Sequence, residues 1–159
     1  MTSLIHEQFA VYDYEKFPVV GSYRDGKAHC DKKLLISPYT TGEPIFVLKT
    51  TYYANPDMRR LSADGLDAYA HAHKYAEEIM IFEDEAEAVI DGVMYNIPAN
   101  GMLVAKAGCR HAAQFVDPGK GCTVTSVFIP TVPASEDPDY VLLIQRTKEY
   151  LAGEDVVRL

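Results

Sequence analysis

Two histidines one residue apart, a glutamate just after them and a further histidine downstream are the side chains here whose types and spacing could do chemistry. The first run reads Gly65-Leu-Asp-Ala-Tyr-Ala-His71-Ala-His73-Lys-Tyr-Ala-Glu77-Glu78-Ile-Met-Ile-Phe82. In an extended strand alternate residues share a face, so His71 and His73 are expected to point the same way. Glu77 follows a short polar break, at the mouth of the next apolar run. Two imidazoles and a carboxylate brought together form a divalent-metal site. His111, in Lys106-Ala-Gly108-Cys-Arg-His111, follows another strand-like run and completes the donor set. The reading is a scaffold that gathers His71, His73, Glu77 and His111 around one metal ion. Three imidazoles and one carboxylate suit Fe, Mn, Ni, Co or Zn, and ligand type does not separate them. A six-coordinate ion would keep positions open for water, substrate or dioxygen.

Other candidates stand near these four. Arg110 and Lys106 are placed to receive a substrate carboxylate, although surface charges are the simpler account of both. Tyr69 and Tyr75 bracket the histidine pair, and either phenol is an acid/base candidate; strand packing is the plainer role. Cys109 is a thiol beside the site or an inert buried cysteine. Gln114 lies three residues past His111. Catalytic roles are unassigned, with Tyr75, Arg110 and Lys106 as the candidates. His6 and His29 have no partner at ligand spacing and read as surface or interface histidines.

These side chains need elements to position them. Pro44 to Tyr53 is rich in β-branched and aromatic residues and predicts a strand, with Lys49 facing solvent or, as the second reading, a polar cavity where it would contact an anion. Met58 to Asp64 reads as a polar connection, and Gly65 is expected to open the strand that carries His71 and His73. Ile79 to Phe82 is the next strand. Ala86 to Ile90 and Val93 to Ile97 flank Asp91-Gly92, a strong hairpin signal because both central residues of a type I′ turn need positive φ. Met102 to Ala105, His111 to Val116 and Thr123 to Ile129 predict further strands. After Pro133 the pattern changes. Acids and an early proline at Glu136-Asp137-Pro138-Asp139 predict a helix start, and Gly153 a stop. That helix is expected to pack on the outside of a sheet. Many short strands at turn-rich spacing, with one terminal helix, indicate an antiparallel sandwich or barrel with a pocket inside.

Length and charge narrow the classes. A chain of 159 residues suits one domain with a proper core. A formal net charge of −8 argues against nonspecific nucleic-acid binding, which wants a basic face. No apolar run approaches membrane-spanning length, and the N-terminus lacks a basic region followed by an apolar one. Cys30, Cys109 and Cys122 are widely spaced and form no CxxC pair, so free thiols in a reducing cytoplasm are expected.

With these residues in place, the chain resembles the cupin superfamily. The first cupin motif runs glycine, five residues, His-x-His, three or four residues, glutamate, six residues, glycine. Gly65, His71, His73 and Glu77 match it, and Asp84 stands where the family has its second glycine. The second motif runs glycine, five residues, Pro-x-Gly, two residues, His, three residues, Asn. Gly108 and His111 match it; Lys106 replaces the proline, Gly101 is one residue too close, and Phe115 occupies the asparagine position. The family spacing favours Glu77 over Glu78 as the ligand, and adjacent strand residues point apart, so only one can serve.

The resemblance covers roughly residues 44–133. It implies an all-β, cupin-type jelly-roll β-barrel with a C-terminal helix. The single domain would comprise an N-terminal arm or strands at 1–43, a barrel core at 44–133 and a helix at 137–153. The family often dimerises through N-terminal strands, so a homodimer is expected, with residues 1–43 able to serve that role.

Three functions follow. The first is a metal-dependent enzyme acting on a small oxygenated or carboxylated metabolite, either a dioxygenase or an isomerase, lyase or decarboxylase. The second is a non-catalytic small-molecule- or metal-binding module, such as a sensor. The third, a purely structural barrel, leaves the assembled donor set unexplained.

Overall fold

Strand β11 (Cys122–Ile129) buries Cys122, Val124, Ser126 and Phe128 and turns the residues between them outward, as a period-two strand must. It lies inside a six-stranded sheet. β5 (Phe46–Tyr52) pairs with one of its edges and β6 (Glu77–Phe82) with the other, both antiparallel. β4 (Lys27–Ile36) and β3 (Val19–Arg24) extend the sheet beyond β5, and β9 (Met102–Ala105) closes it beyond β6. This computed structural model describes residues 4–5, 10–24, 26–131, 138–153 and 157–158. The expectation for His6 and the first residues of the helix start, Glu136 and Asp137, lie outside the described residues.

A second, three-stranded sheet holds β7 (Ala86–Ile90), β8 (Val93–Ile97) and β10 (His111–Phe115), in the order β10-β7-β8. The β7–β8 turn has positive φ at both Asp91 (49°) and Gly92 (80°), which is the turn type that matches strand twist. The two sheets pack face to face through Phe82, Phe115, Val124, Ile97 and Ala86. Three two-residue strands, β1 (Leu4–Ile5), β2 (Ala10–Val11) and β12 (Val157–Arg158), form a small separate sheet.

Two features differ from the sequence expectation. Helix α3 (Pro138–Gly153) follows the short α1 (Pro38–Thr41) and α2 (Ala63–Asp67) in the chain. Its Tyr140 and Leu143 pack on Val20, Leu34, Phe46, Leu48 and Phe128. Phe128 has the same strand parity as Val124, so α3 covers the inner face of the large sheet, beside the small sheet, and not an outer face. The strands of the 1–43 segment that reach the large sheet are β3 and β4, which pair with each other and, through β4, with β5.

The stretch before β6 is the other difference. Gly65 does not open a strand. Residues Ala63–Asp67 form helix α2, with the Ser62 hydroxyl accepting the Gly65 N–H as N-cap. Leu66 of that helix packs on Val89 and Ala112 of the small sheet.

Candidate metal centre

His71 and His73 lie on irregular backbone between α2 and β6. They are held to the β9–β10 turn at two points. His71 and His111 exchange backbone hydrogen bonds, 2.9 Å from the His71 N–H and 2.8 Å from the His111 N–H. The Gly108 N–H donates to the His73 carbonyl at 2.8 Å. Gly108 has φ of 80°, a conformation that a side chain would strain. The Gly-x-x-His spacing thus serves to bend the chain back onto the first histidine pair.

Four donor groups meet there. One ligand atom each from His71, His73, Glu78 and His111 lies within 4.8 Å of the others. Glu78 Oε2 stands 3.1 Å from His73 Nε2 and 2.9 Å from His111 Nε2. His111 Nδ1–H donates to the Cys109 carbonyl at 2.9 Å, which turns Nε2 toward the cluster. His73 also packs edge-on against Phe128, with ring centroids 5.1 Å apart. His73, Glu78 and His111 are buried, whereas His71 is exposed.

The carboxylate in this group is Glu78, and the expectation of Glu77 is corrected. Strand register explains why. Glu78 sits opposite Phe128 on the inner face, while Glu77 sits opposite Ile129, on the outer face. Glu77 instead forms an ion pair with Lys106.

The electrostatics fit a cation. Burial alone would push the Glu78 carboxyl up, but hydrogen bonds with His111 and His73 outweigh it and hold the group down at about 2. Burial works to lower His111, yet its contacts with Glu78 and the Cys109 carbonyl raise it above the usual imidazole value. His71 is lowered, first by burial and then by the neighbouring His111, so it stays a neutral donor. A carboxylate oxygen this close to two imidazole nitrogens needs a proton or a metal ion in each contact. The donor set fits a divalent metal, and His71, His73, Glu78 and His111 are the residues that would hold it.

The other candidates lie elsewhere. Arg110 grips both oxygens of Asp67, at 2.6 and 2.7 Å, and also donates to the Asp67 carbonyl. Lys106 is occupied by Glu77. Tyr75 is 64% exposed, with Lys74 stacked 4.8 Å from its ring, and does not reach the interior. None of these three lines the cavity described next, because each lies on an outward-facing turn. Cys109 contributes its carbonyl, and not its thiol, to positioning His111.

A cavity of about 350 Å³ opens between the sheets and reaches His71. Met80, Phe82, Phe115 and Val124 form its apolar wall, and Tyr69 and Gln114 also line it. His29, expected at the surface or an interface, lines this cavity beside Tyr52, with ring centroids 5.1 Å apart. Burial pushes the Tyr52 phenol up to about 12, so it remains protonated.

Gln114 has a second role. Its amide brackets Leu61, accepting the backbone N–H at 2.8 Å and donating to the carbonyl at 2.9 Å, and it also donates to Glu87 at 3.1 Å. Glu87, 2% exposed, takes both oxygens to Arg60. This clamp fixes the segment that carries Met58, Arg59 and Leu61 over the cavity. Sequence reasoning did not find it, since 27 residues separate Arg60 from Glu87.

No family model matches the sequence, and no curated protein matches it. Solved structures do resemble it in fold. FeII HppE superposes with a TM-score of 0.57 at 13% identity, over 79% of this chain and 63% of that one. The chain therefore spans about 63% of the length of HppE. A predicted oxalate decarboxylase from Thermotoga maritima gives 0.55 at 14% identity, over 74% of this chain and 96% of that one. An RmlC-like cupin from Shewanella frigidimarina gives 0.51 at 18% identity, over 86% and 98%. The architecture is the cupin-type jelly roll with a C-terminal helix.

Proposed function

From this cupin-type fold and the donor cluster inside it, we propose a metal-dependent enzyme that acts on a small oxygenated or carboxylated metabolite. One observation carries the reading: a four-donor group whose exposed member, His71, lines the cavity between the sheets. A purely structural ion would be closed off on every side. When bound, the ion would supply Lewis-acid polarisation of an oxygen donor on the substrate, or, as iron, activation of dioxygen.

The chain's own residues then have distinct tasks. Glu78 and His111 supply a negative and a neutral donor from the protected side, and the Cys109 carbonyl keeps His111 in the required tautomer. Phe82, Phe115 and Val124 exclude water around the bound substrate. Tyr52 stays a hydrogen-bond donor across the physiological pH range.

Metal analysis of protein purified without a histidine tag tests the reading. His73→Ala should lower metal content several-fold while leaving the fold intact, and equal metal content in both proteins would overturn it. Oxygen uptake and product analysis with diols, diketones and keto acids then separate dioxygenase from isomerase, lyase or decarboxylase chemistry. Saturable binding without turnover would favour a sensing module.

A further inference from the structure

The charges around the cavity run against those of the chain. The protein has 23 acidic and 15 basic residues, yet among the described residues no Asp or Glu lines the cavity, and Arg24 and Arg59 both do. Neither arginine is paired with a carboxylate among the described residues. Arg59 spends one terminal nitrogen, Nη1, on the backbone carbonyls of Pro56 and Met58, which leaves its charge unneutralised. Arg24 lies over the ring of Tyr69, 5.7 Å from the centroid, a stacking that leaves the guanidinium edge open. A nearby acid, Asp57, lies 3.7 Å from Lys27 and outside the cavity lining. His29, also in the lining, is held below its usual value by burial and by the positive charge of Arg24 and Lys32.

Much of the remaining wall is apolar, with Met80, Phe82, Phe115 and Val124 in it. Two guanidinium forks and a largely apolar wall in one cavity match a ligand with an anionic group on an apolar body. We propose that the site selects an amphipathic carboxylate, its carboxyl held by Arg24 and Arg59 and its ring or branched-chain body packed on Phe82, Phe115 and Val124 toward His71. The inference rests on the metal-centre reading for which end of the ligand reacts. The carboxylate contact itself does not need the ion.

Calorimetric titration of metal-free and metal-loaded protein with 3-phenylpropionate, 3-phenylpropanamide and propionate tests it, metal content being measured separately. In metal-free protein the acid should bind at least about tenfold tighter than the amide of the same shape, the scale of a charge-assisted pair. It should also bind tighter than propionate, which lacks the body. The double variant Arg24→Gln/Arg59→Gln should bring acid and amide within about twofold. Lys148→Gln, which removes a distant exposed charge stacked on Tyr39, should keep the preference. Equal binding of acid and amide in the wild type, or a preference that survives the double variant, overturns the proposal. If the variant does not fold, the Nε–H resonances of Arg24 and Arg59 in the wild type decide. They should shift with the acid and not with the amide, and unmoved resonances overturn the proposal. A protein that binds no metal but shows the arginine-dependent preference refutes the metal reading alone.

Discussion

His71 and His111 are joined by a reciprocal pair of backbone hydrogen bonds, at 2.9 and 2.8 Å, although 40 residues separate them in the chain. The bridge fixes the distance between two donors through main chain. Side-chain changes elsewhere in the cluster should therefore empty the site without dismantling it.

Glu78→Gln should reduce bound metal several-fold, while Glu77→Gln should leave it near the wild-type level. Only Glu78 faces the imidazoles; Glu77 pairs with Lys106 on the outer side. Elemental analysis of the two variants checks this, and metal loss in Glu77→Gln alone would restore the residue favoured by the sequence spacing.

The metal-free protein should lose stability in acid through Glu78. Its folded value of about 2 lies below the ordinary 4.5, so its contribution is complete above about 4.5 and is lost as pH falls toward 2. For this largely buried group the contribution is on the order of 3 kcal/mol. His111 has the opposite sign. Its folded value lies above 6.5, so its contribution is present below 6.5 and fades as pH rises through the folded value. Urea unfolding across pH should show both limbs, and Glu78→Gln should flatten them together, since each group is the other's partner.

Metal affinity should rise with pH through the titration of His111. The ion and the proton compete for the same Nε2, and the raised value keeps the proton on to higher pH. Competition titrations with a chelator between pH 6 and 8.5 would show the slope, and a flat profile would mean that His111 is not a ligand.

Arg60→Ala should destabilise the fold by about 1–3 kcal/mol, because Glu87 is left buried with Gln114 as its remaining partner. Glu87→Gln should cost less, as it removes the charge together with the need to neutralise it. Denaturant unfolding orders the two variants.

Gly92→Ala should cost about 1–2 kcal/mol, since φ is 80° there and a Cβ would strain the β7–β8 turn. No heavy atom lies within 4 Å of the added carbon, so the effect is conformational and not a clash. Thermal unfolding measures it.

The strands with clear turn punctuation were legible. Asp91-Gly92 fixed the β7–β8 hairpin, and β9, β10, β11 and α3 fall where the apolar runs and the Gly153 stop placed them. The strand expected from Gly65 was not. The Ser62 cap and the tertiary contact of Leu66 with Val89 decide for a helix over residues whose local preference is weak.

What the sequence determined by itself was the inventory and its order: three histidines, a pair of glutamates and a turn glycine at spacings that bring them to one place in a jelly roll. Which glutamate turns inward was left to tertiary structure. Glu77-Glu78-Ile-Met-Ile-Phe82 is apolar on both parities, so only pairing with Phe128 and Ile129 of β11 sets the face. The cavity's arginines were equally hidden. Arg24 ends one strand and Arg59 sits in a loop, and they share a cavity only because the sheet and the Arg60–Glu87 clamp bring distant chain together.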